Sequence, residues 1–182
     1  NHGGLRLTGT LSTGDLAELK IIAWPDADLN SDVSTSRSHS GGWIELSANG
    51  HCFPLTWYSK RQDCTATHTC EAETVSLATC LKEALPMQEL LGAVFGKVIP
   101  IILKEDNSAA RISCTKGYSP AMRYLKRTQR VSIGFISDVI NDTSNEISIE
   151  QAPTATHKGE VFTKALAHAD FHAALARLGM TF

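Results

Sequence analysis

No pair of cysteines stands at C-x-x-C spacing, and the five present (Cys52, Cys64, Cys70, Cys80 and Cys114) are an odd number without clustered histidine partners. That argues against a disulfide framework or a zinc site and points to reduced thiols in an intracellular protein. A long apolar run is also missing, since the most apolar stretch, Leu90 to Leu103, is broken by Lys97 and Pro100. The N-terminus has no basic region followed by an apolar one, so neither a membrane span nor a secretory leader is expected. Neither sign of charge dominates. A formal net charge of −2 and a pI near 6.4 exclude a chain that grips nucleic acid with its whole surface, but leave room for a basic patch beside an acidic site. Internal repeats and long linkers are absent too. With 182 residues, 42% hydrophobic and 20% charged, the chain is expected to form one soluble domain with its own core. It begins at Asn1 rather than Met and is expected to be a piece of something longer.

What is present is a change of hydrophobic period partway along. Leu19 to Trp24 reads as a buried strand and Asn30 to Ser40 as a polar loop. Gly42 to Leu46 and Phe53 to Tyr58 read as strands around Asn49-Gly50, a favoured hairpin turn because both residues tolerate positive φ. From Thr67 the apolar residues Ala72, Val75, Leu77, Ala78, Leu81, Ala84 and Leu85 follow a helical period, with Glu71 in the first turn, where the helix dipole favours a negative charge. Pro86 should kink or split this helix. Val98 to Leu103 is a β-branched run, and a helix continues from Ser108. Ser119 to Ile140 carries one or two further helices, Glu146 to Glu150 alternates like a strand, and a last helix spans about Gly159 to Leu178. The order β-β-β-α-β-α-α-β-α describes a mixed sheet with helices on its faces.

Asp26, Glu71 and Asp106 each close an apolar run or open a helical one, which allows three carboxylates to converge at one end of the sheet. Convergent carboxylates on rigid elements suit a pair of Mg²⁺ ions and phosphodiester hydrolysis, so nuclease chemistry is the first hypothesis. An isolated acid is more commonly a solvated surface group or a helix cap. Asp28 and Glu73, two residues from Asp26 and Glu71, are read as supporting or surface groups, the second pair diverging on a helix. Arg123, Lys126, Arg127 and Arg130 form the densest basic cluster, suited to phosphates or equally to a solvated helix face. Trp43 and Trp57 are expected to fill the sheet core. His157 is a candidate for proton transfer or product release, although a loop histidine among seven is more often incidental.

Several segments resemble, in order, the ribonuclease H domain of copia-type retrotransposon polyproteins. Asp26-Ala27-Asp28 resembles D-A-D-W, and Arg37-Ser38-His39-Ser40-Gly41-Gly42 resembles R-S-T-S-G-Y. Trp57-Tyr58-Ser59-Lys60-Arg61-Gln62 is similar to W-S-S-K-K-Q, and Thr69-Cys70-Glu71-Ala72-Glu73 to S-S-T-E-A-E-Y. Asp106-Asn107-Ser108-Ala109-Ala110 is similar to D-N-Q-S-A. Pro153-Thr154 followed by Glu160-Val161-Phe162-Thr163-Lys164 resembles P-T with A-D-I-L-T-K. Gly4-Leu5-Arg6-Leu7 looks like the end of the preceding reverse-transcriptase region. The matches span nearly the whole chain in register.

The resemblance implies an α/β, ribonuclease H-like fold: a five-stranded mixed sheet, three strands antiparallel and two parallel, with helices on both faces. It divides the chain into residues 1–18, the tail of the reverse-transcriptase region, and residues 19–182, the ribonuclease H-like domain. The implied reaction is hydrolysis of the RNA strand of an RNA–DNA hybrid, using two Mg²⁺ ions with Mn²⁺ able to substitute. The implied catalytic and metal-binding acids are Asp26, bridging both ions, Glu71 and Asp106 beside it, and Glu160 as the outer ligand. Ser38, Gln62 and Asn107 join the four basic residues as candidate contacts to the hybrid. The implied partners are the hybrid and an upstream reverse-transcriptase domain, with no membrane. The expected location is intracellular, in the cytoplasm within a retroelement particle, with the nucleus as an alternative. Four departures stand out: Leu29 in place of Trp, Pro25 in a central strand, Pro86 in the long helix, and Glu160 in place of Asp, its carboxylate moved by about 1.5 Å. They leave open a catalytically silent module of the same fold that binds nucleic acid or serves a structural role. An integrase core or proofreading exonuclease ranks last, for want of the S-K-R-Q to E-A-E spacing.

Overall fold

The computed structural model describes residues 6–181. Its main sheet has the spatial order β4-β3-β2-β5-β6. Strands β2 (Lys20–Asp32), β3 (Arg37–Ala48) and β4 (His51–Arg61) form an antiparallel meander, and β5 (Ile101–Glu105) and β6 (Ile147–Gln151) are added in parallel. The helices are α1 (Thr69–Phe95), α2 (Ser108–Lys116), α3 (Leu125–Thr128), α4 (Ile133–Asn141) and α5 (His168–Arg177). A separate pair, β1 (Arg6–Leu7) and β7 (Met180–Thr181), joins the two ends of the described chain. Gly4 and Leu5 lie outside the described residues. No helix among the described residues is long and apolar enough to cross a membrane.

The first half of α1 is buried on every side, from Glu71 through Ala78 without interruption, which blurs the amphipathic pattern normally seen on a surface helix. Leu77, Leu81 and Ala84 meet Ile21, Ala23, Ile44, Ile101 and Leu103 in the core. Alternation along β3 divides the sheet's two faces. Gly42 and Ile44 turn toward α1, with Tyr58 lying against Gly42 and donating its hydroxyl proton to the Ser76 carbonyl. Gly41, Trp43 and Glu45 turn the other way, toward residues 157–164, which cross that face as a strap before α5.

Local chemistry explains where the elements differ from the expected ones. The polar stretch from Asn30 is a tight turn between extended strands. Asp32 accepts from the Ser34 amide and hydroxyl, the Thr35 hydroxyl and Arg61. The Asn49-Gly50 turn has φ of 52° and 81°, as that hairpin type requires. Pro25 is tolerated because the Ile21 amide points to the β5 side, and so, by alternation, does position 25. The parallel ladder to β5 has already ended at Ala23, so proline's missing donor leaves no partner behind. Pro86 does not split α1: the helix runs through it, and both Pro86 and Lys82 face solvent, so water can reach the carbonyl proline fails to bond. Arg130, at φ 57°, separates the short α3 from α4, which Ser132 caps. The last helix starts at His168 rather than Gly159, because residues 154–163 make two 3-10 turns within the strap.

The strap's close approach to the sheet makes Gly41 sterically demanding. A Cβ there would lie 2.7 Å from both Phe162 Cβ and Thr163 Cγ2. Gly41→Ala is expected to lower unfolding free energy by about 1–3 kcal/mol, read as a lower urea midpoint, whereas Gly50→Ala meets no such contact and loses stability only through its turn geometry.

Candidate metal centre

Asp26, Glu73 and Asp106 converge, each offering a carboxylate oxygen within 4.8 Å of the others. Asp26 lies on the middle strand β2, Glu73 one turn into α1, and Asp106 immediately after β5. This is the crevice where the carboxyl ends of parallel strands meet a helix start. Asp26 and Glu73 are buried. Asp106 is part-exposed and accepts from the Thr154 hydroxyl at 3.1 Å. Behind them Glu105 is fully buried, one oxygen accepting from the Asn107 amide at 3.0 Å.

The electrostatics are those of carboxylates short of positive charge. Burial raises the Asp26 pKa, against the pull of the Thr163 hydroxyl and Lys164. Burial, then the charges of Glu105, Asp26 and Asp106, push Glu73 up to about 10. Burial also holds Glu105 well above the ordinary carboxylate range. Among the described residues, Glu73 Oε2 and Glu105 Oε2 are buried without a hydrogen-bond partner. An all-oxygen donor set with an orphaned buried oxygen fits a hard divalent cation such as Mg²⁺ or Mn²⁺.

Glu71 does not join this group. Two residues along a helix turn a side chain by about 200°, so of Glu71 and Glu73 only one faces Asp26. Glu71 Oε2 accepts from the Thr67 amide, the Thr67 hydroxyl and the Tyr124 hydroxyl, each at 2.8 Å, and Oε1 from Gln129 at 3.4 Å. Although burial works the other way, these donors hold its pKa below the ordinary value. The structure explains the choice: His68 caps α1, which puts Glu71 at the third helical position, where a glutamate turns back to bond amides around the cap. That leaves Glu73 free. The sequence does not mark this start, because histidine is not a favoured cap residue.

Glu160 also stays outside the three-acid group. It lies in a 3-10 turn of the strap and accepts from Lys164 Nζ at 3.3 Å, while the same ammonium sits 3.9 Å from Asp26 Oδ1. The Thr163 hydroxyl donates to the other oxygen of Asp26. Asp28 pairs with His39 in the β2–β3 ladder and is not part of the group.

A polar clamp that sequence reasoning missed fixes the strap. Lys158 Nζ donates to both oxygens of the buried Glu45, at 2.8 and 2.6 Å, and the indoles of Trp43 and Trp24 donate to the same carboxylate. His157 is buried against Trp24. Its Nδ1 accepts from the Gly159 amide, which assigns the proton to Nε2, and Nε2 donates to the Lys104 carbonyl at 2.9 Å. Both ring nitrogens therefore hold the strap in place.

The candidate nucleic-acid contacts divide. Ser38 is fully buried and accepts from the Asn30 amide. Gln62 is buried and donates to Ser40 and to the Ala72 carbonyl, tying β4 to α1. Asn107 caps α2 through the Ala110 amide. Arg123, Lys126, Arg127 and Arg130 are exposed, on a segment that Glu71 anchors to α1 through Tyr124 and Gln129. Trp43 is fully buried, but Trp57, expected in the core, is half exposed and stacks on Trp43 at 6.0 Å.

Two substitutions should separate the glutamates. Glu73→Gln is expected to abolish Mn²⁺ binding without loss of the fold, whereas Glu71→Gln keeps Mn²⁺ binding and loses about 1–3 kcal/mol of stability. The pH dependence follows from linkage. Glu73 is raised from 4.5 to about 10 on folding, so the folded state binds more protons in that window and metal-free stability falls as pH rises through it. Denaturation midpoints between pH 6 and 9 should show a smaller fall in Glu73→Gln than in the native chain.

No family model matches the chain. Among solved structures, it is similar to the N-terminal ribonuclease H domain of a Mycobacterium tuberculosis protein, solved as a fusion with maltose-binding protein. The TM-score is 0.52 at 14% sequence identity, covering 87% of this chain and 97% of that one. With three antiparallel and two parallel strands in the order found here, the chain has the ribonuclease H-like fold.

Proposed function

We propose that this chain is a metal-dependent ribonuclease H that hydrolyses the RNA strand of an RNA–DNA hybrid. The observation that carries the reading is the convergence of Asp26, Glu73 and Asp106 around the unpartnered buried oxygen of Glu73. Mg²⁺ would be held by these three side chains, with Mn²⁺ as a substitute. When bound, divalent cations activate a water and neutralise charge developing at the phosphate. The protein's own contribution is placement. The Thr163 hydroxyl fixes the rotamer of Asp26, Thr154 steadies Asp106, and the rigid junction of β2, α1 and β5 sets their separation. Cleavage would leave a 5′-phosphate and a 3′-hydroxyl.

The exposed row Arg123, Lys126, Arg127 and Arg130 is suited to the phosphates of the hybrid, an interaction that weakens with salt. Within the copia-type resemblance, the chain would be the ribonuclease H portion of a reverse-transcriptase polyprotein, with residues 1–18 the end of the region before it. The pairing of β1 with β7 means such a tail would be docked on the domain. One observation favours the silent, binding-only reading: the ammonium of Lys164 lies close to Asp26, where a cation would be needed.

The test is cleavage of an end-labelled RNA–DNA hybrid in Mg²⁺ and in Mn²⁺. The native chain should cut the RNA strand. Asp26→Asn, Glu73→Gln and Asp106→Asn should each lower the rate by at least about a thousandfold, on the scale of removing a group that supplies several kcal/mol at the transition state. Glu71→Gln should still cut. A folded native chain that binds the hybrid and cuts nothing in either metal would sink the catalytic reading in favour of the silent module.

A further inference from the structure

One ammonium of the strap reaches both Asp26 and Glu160. Lys164 Nζ lies 3.3 Å from Glu160 Oε1 and 3.9 Å from Asp26 Oδ1, between the two acids that the copia-type resemblance would assign to a second cation. We propose that the Lys164 ammonium takes the place of the second cation, so that the chain binds a single divalent ion, between Asp26, Glu73 and Asp106. The inference rests on reading those three acids as a metal centre.

Three observations support it. First, Lys164 belongs to a segment held from several directions. Lys158 is clamped to Glu45, His157 bonds the Lys104 carbonyl, Phe162 stacks on Trp43 at 6.1 Å, and the Lys164 amide donates to the Glu160 carbonyl. The Lys164 side chain is 34% exposed, so its head is delivered to the acids rather than ranging freely in water. Second, Glu160 and Lys164 stand four residues apart in a helical turn, the spacing at which a glutamate and a lysine meet. An aspartate at 160 is shorter by one methylene, about 1.5 Å, so the glutamate is what brings the carboxylate to the ammonium. Third, both oxygens of Asp26 are already met from the strap, one by the Thr163 hydroxyl and one by the ammonium. Asp26 thus has little left to offer a second ion. A lysine head is a compact point charge with three donors, a fixed substitute for an ion that would otherwise be recruited from solution.

The experiment counts Mn²⁺ bound per chain by loss of the free-ion EPR signal, using the full 182-residue chain, with far-UV circular dichroism to check each fold. The native chain should bind one ion. Lys164→Gln should bind two, and its first ion should be held about tenfold more tightly or better, since a positive charge has gone from beside the site. Lys164→Met serves as a second removal of the charge, and Lys164→Gln combined with Glu160→Gln should return the count to one. A native chain that binds two ions, or Lys164 variants that stay at one, would overturn the inference while leaving the metal centre standing. No Mn²⁺ on the native chain or on the variants would overturn the metal centre and the inference with it.

Discussion

Burying carboxylates beside one another is the constraint on which the site and much of its surroundings depend. With the three carboxylate oxygens of the site within 4.8 Å of one another, an effective dielectric of about 20 gives each charged pair a repulsion of at least roughly 3 kcal/mol. A domain of this size has a net stability of only about 5–15 kcal/mol. Burial and mutual repulsion accordingly push Asp26, Glu73 and Glu105 toward their protonated forms unless a cation lies among them. Glu73 shows which relief the metal-free chain takes, since its carboxyl is pushed up to about 10 and holds a proton at neutral pH. A divalent ion would replace that proton, which is why the same geometry that burdens folding favours metal capture.

The strap is built to answer that burden from one side. Its two lysines do different work, although they lie only six positions apart. Lys158 is neutralised completely by Glu45, with two indole donors completing the carboxylate's shell. A buried ion pair of this kind contributes little net stability, yet removing one partner strands the other. It therefore acts as a latch whose register is hard to shift. Lys164, carried by the latched segment, reaches the acids with its charge still shared between Asp26 and Glu160. The latch fixes where the second positive charge arrives.

Much of this fold was legible in the sequence because its signals are local. The hairpin at Asn49-Gly50, the helical period after Thr67 and the β-branched run before Asp106 all name their elements and their order. What was not legible depended on partners distant along the chain. Pro86 looked like a breaker because sequence does not show that its face of α1 is open to water. The segment after Gly159 had helical apolar spacing, but Lys158 found Glu45, far earlier in the sequence, and the docked strap won over local propensity. Ser38, Gln62 and Asn107 looked like surface contacts because their types are polar. The structure uses each of them to satisfy an internal polar group.

The choice between Glu71 and Glu73 shows where motif reading ends and geometry begins. The resemblance located E-A-E as a unit, and on an extended strand both acids would share a face. On a helix they diverge, so only one of the two can face Asp26. The helix start decides which. The Thr67 amide, just ahead of the cap, needs an acceptor, and Glu71 is the acid within reach of it. Once that carboxylate is committed to Thr67, Tyr124 and Gln129, it is tied into the segment carrying the exposed basic residues. Glu73, lying deeper in the helix and lacking a donor for one oxygen, is left to face Asp26. The two glutamates thus connect the proposed cutting centre and the proposed substrate-gripping surface to the same first turns of α1, and a shift of that helix would move both together.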